Sequence, residues 1–240
     1  VLALLIFITL VFSRCKSPVS DLHPTNLRCE YLDDPIAIDE TAPRISWELQ
    51  ANGRNRAQTA YQVLVASTAE LLAKDYGNLW NSGKVTSDET INLSYRGGKL
   101  SSRVSCFWKV KVWDQDNVSS DWSPVARWSM GLLDSNDWQA QWIGHDAALN
   151  DTTAFGTQPW ANDVERKTDY RPLPCPYLRK EFELEGAVES AKIYITALGI
   201  YELNINGECV GIDYFSPGWT DYHKRIYYNT YDIGSVLKKG

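Results

Sequence analysis

Histidine is scarce in this 240-residue sequence, at three (His23, His145 and His223), and methionine scarcer still, at one, Met130. Three imidazoles leave little material for acid–base chemistry near neutral pH. Five cysteines are present, none in C-x-x-C spacing and none beside a histidine cluster, so no zinc site is expected. Buried free thiols are the simplest reading of Cys29, Cys106, Cys175 and Cys209. In an exported protein a Cys29–Cys106 bridge is the alternative. Glycine-rich phosphate loops, nucleophile elbows and Ser/His/Asp constellations are missing. So is any basic stripe: the formal net charge is −6, and the densest cationic run is Tyr222-His223-Lys224-Arg225. With nothing to displace phosphate counterions, nucleic acid is excluded as a partner.

What the sequence has in quantity is aromatic side chains, 10 Trp and 13 Tyr, within an otherwise ordinary composition of 44% hydrophobic and 22% charged residues. Flat rings suit the cores of β-sandwiches and also stack on the apolar faces of pyranoses; core filling claims most of them. An apolar run, Val1 to Phe12, is too short for a membrane span and suits the h-region of a signal peptide, so residues 1–18 read as a leader already shortened at its start. Cys15 follows in the position where a bacterial lipoprotein is lipidated and attached to a membrane. Arg14 before it departs from the usual small residue, so lipidation and simple export both stay open. The expected location is the periplasm or outer-membrane surface of a bacterium.

After a linker over Val19–Thr25, short alternating segments recur about every ten residues. They are Leu27–Tyr31, Ile45–Leu49, Tyr61–Ala66, Leu79–Lys84, Ile91–Tyr95, Cys106–Asp114 and Ala126–Met130, with a short helix over Thr68–Lys74. Seven such strands over residues 24–133 predict an immunoglobulin-like or fibronectin type III sandwich, with Trp47 and Trp108 in its core. A junction at Leu133–Asp137 leads into a second domain, 138–240. Strands are expected there over Trp138–Gly144 and Tyr177–Leu184, on either side of a polar insert from Asp146 to Pro176. Tyr201, Leu203 and Ile205 then alternate with Glu202, Asn204 and Asn206, and Asn206-Gly207 signals a tight hairpin before Cys209-Val210. A polar and aromatic loop, Asp213 to Tyr222, precedes another strand, Ile226–Tyr231.

The wording of this second stretch, GIYELNINGECVG followed by SPGWTDYHKRIYYNTYDI, resembles the non-catalytic β-sandwich that precedes the catalytic domain in bacterial α-L-rhamnosidases of glycoside hydrolase family 78. Tyr231-Asp232-Ile233 stands where that family usually has Y-D-V. RISWEL, YQVLVAS, LWNSGKV, FWKVKVWDQDN and SDWSPVARWSMGLL are similar, in order, to the fibronectin-like domain that opens the same enzymes. The resemblance implies an all-β chain of two tandem sandwiches, fibronectin type III/immunoglobulin-like and then jelly-roll (galactose-binding-like), the second cut before its last strands. It further implies an accessory region of an inverting glycosidase that hydrolyses terminal α-L-rhamnosyl bonds in glycosides and polysaccharides, with no catalytic residue in these 240.

Glu202, Asp213 and Asp221 sit in a pattern of strand edges and loops rather than of a catalytic carboxylate pair. No cofactor is required for the reaction; calcium enters because some related sandwiches bind L-rhamnose beside a calcium ion. Candidates for such a site are Asn162 and Asp163 in the insert, Asn204 on the polar strand face, and Asp213, Trp219 and Tyr222 in the loop. Asn206 joins them, although a type I′ turn wants Asn for its backbone alone. The partners implied are rhamnose-containing glycans and the catalytic domain itself. A non-enzymatic carbohydrate-binding or surface-adhesion module is the alternative, and a purely structural brace is a third.

Overall fold

The computed structural model describes residues 18–144 and 175–239; Cys15, Asn162 and Asp163 lie outside the described residues. The chain divides into two compact units between Asp137 and Trp138. The class is all-β: one five-residue helix is the only α-helix among the described residues.

In the first unit, β1 (Leu22–Cys29), β2 (Arg44–Ala51) and β6 (Leu93–Ser94) form one antiparallel sheet in the order β1-β2-β6. The other has the order β4-β3-β7-β8, from β3 (Gln58–Ala66), β4 (Trp80–Asn81), β7 (Ser105–Asp114) and β8 (Ala126–Ser129), with β5 (Val85–Thr86) also on β3. This is the strand distribution of a fibronectin-like sandwich. The longest ladder joins β3 to β7 from Gln58↔Asp114 to Ala66↔Phe107. Along β7, Cys106, Trp108, Val110 and Val112 point inward, while Phe107, Lys109, Lys111 and Trp113 take the outer face. Trp47, Trp108 and Trp128 are all fully buried. The Trp47 indole N–H donates to Gln58 Oε1 at 3.1 Å, and the Gln58 amide donates to the carbonyls of Ser87 and Glu89. Trp128 meets Trp108 and Tyr95 edge-on, at centroid distances of 6.5 and 6.1 Å.

β1 corrects the expected linker at Val19–Thr25, since the strand already begins at Leu22. The register slips between Thr25 and Arg28, where Asn26 has φ 48°. The bulge breaks the period-2 pattern that would have marked the strand, and Pro24 fits because β1 lies at a sheet edge. α1 (Ala69–Ala73) is capped by Thr68, whose hydroxyl accepts from the Leu71 amide at 3.3 Å. Its Leu72 packs with Leu64 and Ala66 in a small second cluster on the outer face, flanked by Phe107 and Trp122.

In the second unit β9 (Lys192–Ile195) pairs antiparallel with β12 (Asn229–Asp232), and β10 (Asn204–Ile205) with β11 (Glu208–Cys209). The expected strands over Trp138–Gly144 and Tyr177–Leu184 are not formed. Their alternation is present, but among the described residues no neighbour accepts a ladder with them, and a lone strand leaves its backbone groups unpaired. All four described cysteines are free thiols: Cys29 and Cys106 are buried, whereas Cys175 and Cys209 are exposed, contrary to the expectation that all four are buried. Cys209 sits on the two-residue strand β11, both of whose residues face solvent.

Candidate functional site

The β10–β11 hairpin sets the frame of the second unit's loop. Asn206 and Gly207 take φ of 52° and 84°, the two positive values a type I′ turn requires. The Asn206 side-chain amide donates to the Val236 carbonyl at 2.8 Å, so both its backbone and its side chain serve the fold. Gly211 follows with φ 92°, and a Cβ there would lie 2.6 Å from Cε1 of Tyr231. Only glycine allows the chain to pass so close to that ring. The Tyr231 hydroxyl lies 3.2 Å from that of Tyr201 and 3.5 Å from Ser216 Oγ. Burial, and then the contact with Tyr231, push the Tyr201 phenol above its ordinary range.

The backbone amide of Tyr201 donates to the Ser216 carbonyl at 2.9 Å, pinning the loop at a buried serine. A turn over Phe215–Gly218, containing the cis Ser216–Pro217 bond, closes with the Gly218 amide donating to the Phe215 carbonyl at 3.1 Å. Phe215 itself stands at φ 59°. Beyond it, the Asp221 carbonyl accepts from the amides of Lys224 and Arg225, and its carboxylate accepts from the His223 amide. Asp221 is therefore spent on a turn.

The pinned loop presents its rings outward. Gly199, Ile200, Phe215, Trp219 and Tyr222 line an open depression of about 470 Å³. Ile200, Phe215 and Trp219 are 68%, 77% and 86% exposed. Of the sequence candidates, the structure brings Trp219 and Tyr222 together here. Asn204 and Asp213 are exposed and do not line the depression; the Asn204 amide donates to Glu202 at 3.4 Å. Ile200 and Phe215 are lining residues that sequence reasoning missed. The signal for Phe215 is a left-handed backbone, which no residue pattern announces.

The other described tryptophans are accounted for. Trp47, Trp108 and Trp128 are buried, and Trp80 packs on Tyr95. Lys84 Nζ lies 4.7 Å from the Trp113 centroid, and Lys109 and Lys111 lie 4.8 and 4.4 Å from that of Trp122. Trp138 tilts against Tyr228 at 5.9 Å. That leaves Trp142 and Trp219 as the most exposed tryptophans among the described residues.

A general acid in glycoside hydrolysis needs a carboxyl whose pKa is raised. Among the described residues, every Asp or Glu that moves clearly from its ordinary range moves down. Arg44 holds Glu30 down, the Glu70 backbone amide and Thr68 hold Glu70, Lys109 holds Asp75, and the Ser102 hydroxyl holds Asp137. Burial pushes Asp114 up, but the Ser20 hydroxyl and the amides of Val118 and Asp116 outweigh it. Among the described residues no group of three or more His, Cys, Asp or Glu side chains converges.

Comparison with known proteins gives both units counterparts. Residues 24–134 match a family described as Rha78A-like, N-terminal immunoglobulin domain, and residues 186–240 match the α-L-rhamnosidase N-terminal domain. An α-L-rhamnosidase of Formosa agariphila is 39% identical over 211 residues, covering 88% of this chain and 21% of the relative. One from Alteromonas sp. (strain LOR) is 35% identical over 243 residues, covering 99% of this chain and 25% of the relative. The solved structure of α-L-rhamnosidase from Dictyoglumus thermophilum superposes with a TM-score of 0.75 at 33% identity, over 94% of this chain and 24% of that one. The chain thus spans a quarter or less of the length of these relatives. Two domains in the same order, with matches running through both, make the chain homologous to the N-terminal region of α-L-rhamnosidases.

Proposed function

We propose that this chain is the accessory, non-catalytic N-terminal region of an enzyme that hydrolyses terminal α-L-rhamnosyl bonds in glycosides and polysaccharides with inversion. The observation that carries this reading is the paired domain match, in order, to α-L-rhamnosidases several times longer than the chain. The chain spans only 21–25% of those relatives, and the reading places the catalytic acid and base in the rest of the polypeptide. The apolar run before Cys15 supports export of the whole protein, to a place where plant or microbial polysaccharides are met.

The test is p-nitrophenyl α-L-rhamnopyranoside hydrolysis by the 240-residue chain and by the full-length protein. The chain alone is expected to show no turnover. The full-length protein is expected to release the β-anomer of L-rhamnose first, followed by NMR before mutarotation. Turnover by the chain, or none by the full-length protein, would overturn the reading. One observation favours a second role, carbohydrate binding: Trp219 and Tyr222 share an exposed depression. Titration calorimetry with L-rhamnose, with and without calcium, tests it, and heat lost in Trp219→Ala would assign the sugar there.

A further inference from the structure

The outer face of the first unit's larger sheet carries charge that the fold leaves unpaired. Side chains two apart on β7 share a face, so Lys109, Lys111 and Trp113 stand in one row. Lys109 is buried and spends its charge on an ion pair with Asp75. Half-buried Lys111 adds to the field that holds the Asp75 carboxyl down. Its ammonium lies over the Trp122 ring, with no ion pair and no hydrogen-bond acceptor among the described residues. Exposed Lys84 sits over Trp113 and donates to Asn117 Oδ1, again without a carboxylate partner among the described residues. A ring under an ammonium holds it in place without neutralising it, so much of its freedom is already lost before a ligand arrives. A chain of net charge −6 thus keeps two fixed, unpaired cations on one sheet face.

Beside these cations the sheet offers amides. Gln62 pairs across the ladder with Lys111, and its Nε2 donates to Asn81 Oδ1 on β4 at 2.9 Å. Asn81 Oδ1 also accepts from the Gly83 amide at 2.9 Å. Gln62 Oε1 and the Asn81 side-chain N–H groups are left without protein partners among the described residues, an acceptor beside a donor. Such a pair suits adjacent sugar hydroxyls, and the ammonium groups suit an acidic substituent on the same sugar chain. Both sheets of this unit are formed and residues 24–134 match an immunoglobulin domain, so the face is not one that a further strand of the sandwich would cover. Two fixed cations are too few to grip a nucleic-acid backbone, and an apolar partner would have to strip them of water.

We propose that this face, built from Lys84, Lys111, Gln62 and Asn81, binds an anionic glycan, a sugar chain carrying carboxylate or sulfate groups. The choice of a glycan over other polyanions rests on the accessory-region reading above. The test is titration calorimetry of the full-length enzyme at low ionic strength, where exposed charges are least screened. The probes are tetragalacturonate and a sulfated oligosaccharide of the same length, neither of which contains rhamnose. At least one is expected to bind, and the tighter of the two identifies the acidic group. Lys84→Gln and Lys111→Gln should each weaken that binding at least about threefold, as loss of an exposed charge contact does. Both variants should keep the thermal midpoint and the p-nitrophenyl rhamnoside hydrolysis of the wild type. Binding of neither probe, or binding that both variants leave intact, overturns the site. Equal binding of the neutral methyl ester of tetragalacturonate overturns the role of the charge, and equal binding of tetraglutamate overturns the glycan in favour of an acidic peptide. Rhamnosidase activity of the same preparation separates the failures: an active enzyme that binds neither probe loses this site alone, whereas an inactive one loses the accessory reading and the glycan with it.

Discussion

Asp114 is the residue whose removal should be felt furthest from its own position. It ends β7 with a buried carboxylate that accepts three hydrogen bonds: Ser20 Oγ donates to Oδ2 at 2.7 Å, and the amides of Asp116 and Val118 donate to Oδ1 at 3.0 and 2.9 Å. It therefore ties the turn after β7 to the residues leading into β1, 94 positions away in sequence. In Asp114→Ala the freed amides belong to exposed Asp116 and half-buried Val118, in a turn that water reaches, and cost about 0.5–1 kcal/mol each. Ser20 is buried, and its stranded hydroxyl adds about 1–2 kcal/mol, for a total near 3 kcal/mol. Asp114→Asn keeps an oxygen for the two amides and should lose only about half of that. Since the folded carboxyl lies below its ordinary value, its contribution is full above the unfolded carboxylate range. That contribution fades as pH falls through the folded value, so the gap between wild type and Asp114→Asn should narrow on acidification from pH ~5 toward 2. Urea unfolding followed by tryptophan fluorescence, to which buried Trp47, Trp108 and Trp128 contribute, reads both effects. A loss under about 0.5 kcal/mol in Asp114→Ala, or a gap independent of pH, would refute the reasoning.

Other substitutions probe the remaining links. Trp108→Ala empties the centre of the sandwich beside Trp128 and should cost about 3–5 kcal/mol in the same urea experiment. Gly211→Ala, which drives a Cβ into Tyr231 at a positive φ, should raise amide exchange across β10, β11 and the Ser216 loop while leaving exchange in β3 and β7 unchanged. Burial pushes the thiols of Cys29 and Cys106 up to about 12, so under native conditions at pH 8 an aromatic disulfide reagent should label exposed Cys175 and Cys209 and spare these two until the chain unfolds. Because both folded values are raised, their stabilising effect is complete below the unfolded thiol range and is lost as pH climbs from ~9 toward 12; Cys29→Ala should flatten that alkaline decline.

Much of the first unit could be read from its residues because its strands alternate cleanly over a buried face. Trp47 and Trp108 lie where their strands' period puts them, and Asn206-Gly207 makes the turn its composition announces. The failures have physical causes. The bulge at Asn26 hid the first half of β1, since one extra residue reverses which side chains face inward. The alternation over Tyr177–Leu184 is genuine, but alternation states only which face a strand would bury, not whether a neighbour is there to receive it. Lys109 is buried between Asp75 and the Trp122 ring, a placement that no residue pattern announces because it depends on a helix and a loop distant in sequence. In the loop, Trp219 and Tyr222 could be named from residue type. Phe215 and Ile200 could not, because their position follows from backbone angles and from a cross-connection between Tyr201 and Ser216.

The tryptophans show how one residue type is assigned different work by its neighbours. On the outer face of β7, Lys109 and Lys111 are two residues apart and so point the same way, and both ammonium groups settle over Trp122. Lys84, just ahead of β5, does the same for Trp113. A ring capped by a cation is attracted to it by its quadrupole and presents charge, not bare carbon, to the outside. Such a face repels an apolar partner, which would have to desolvate the ammonium groups. No lysine or arginine lies over Trp219 among the described residues; Arg225, close by in sequence, sits instead over Tyr227 at 5.9 Å. The first unit thus sets lysines over Trp113 and Trp122, while the second holds Tyr214, Phe215 and Trp219 exposed on one loop, with Ile200 exposed just before the Tyr201 residue that pins it.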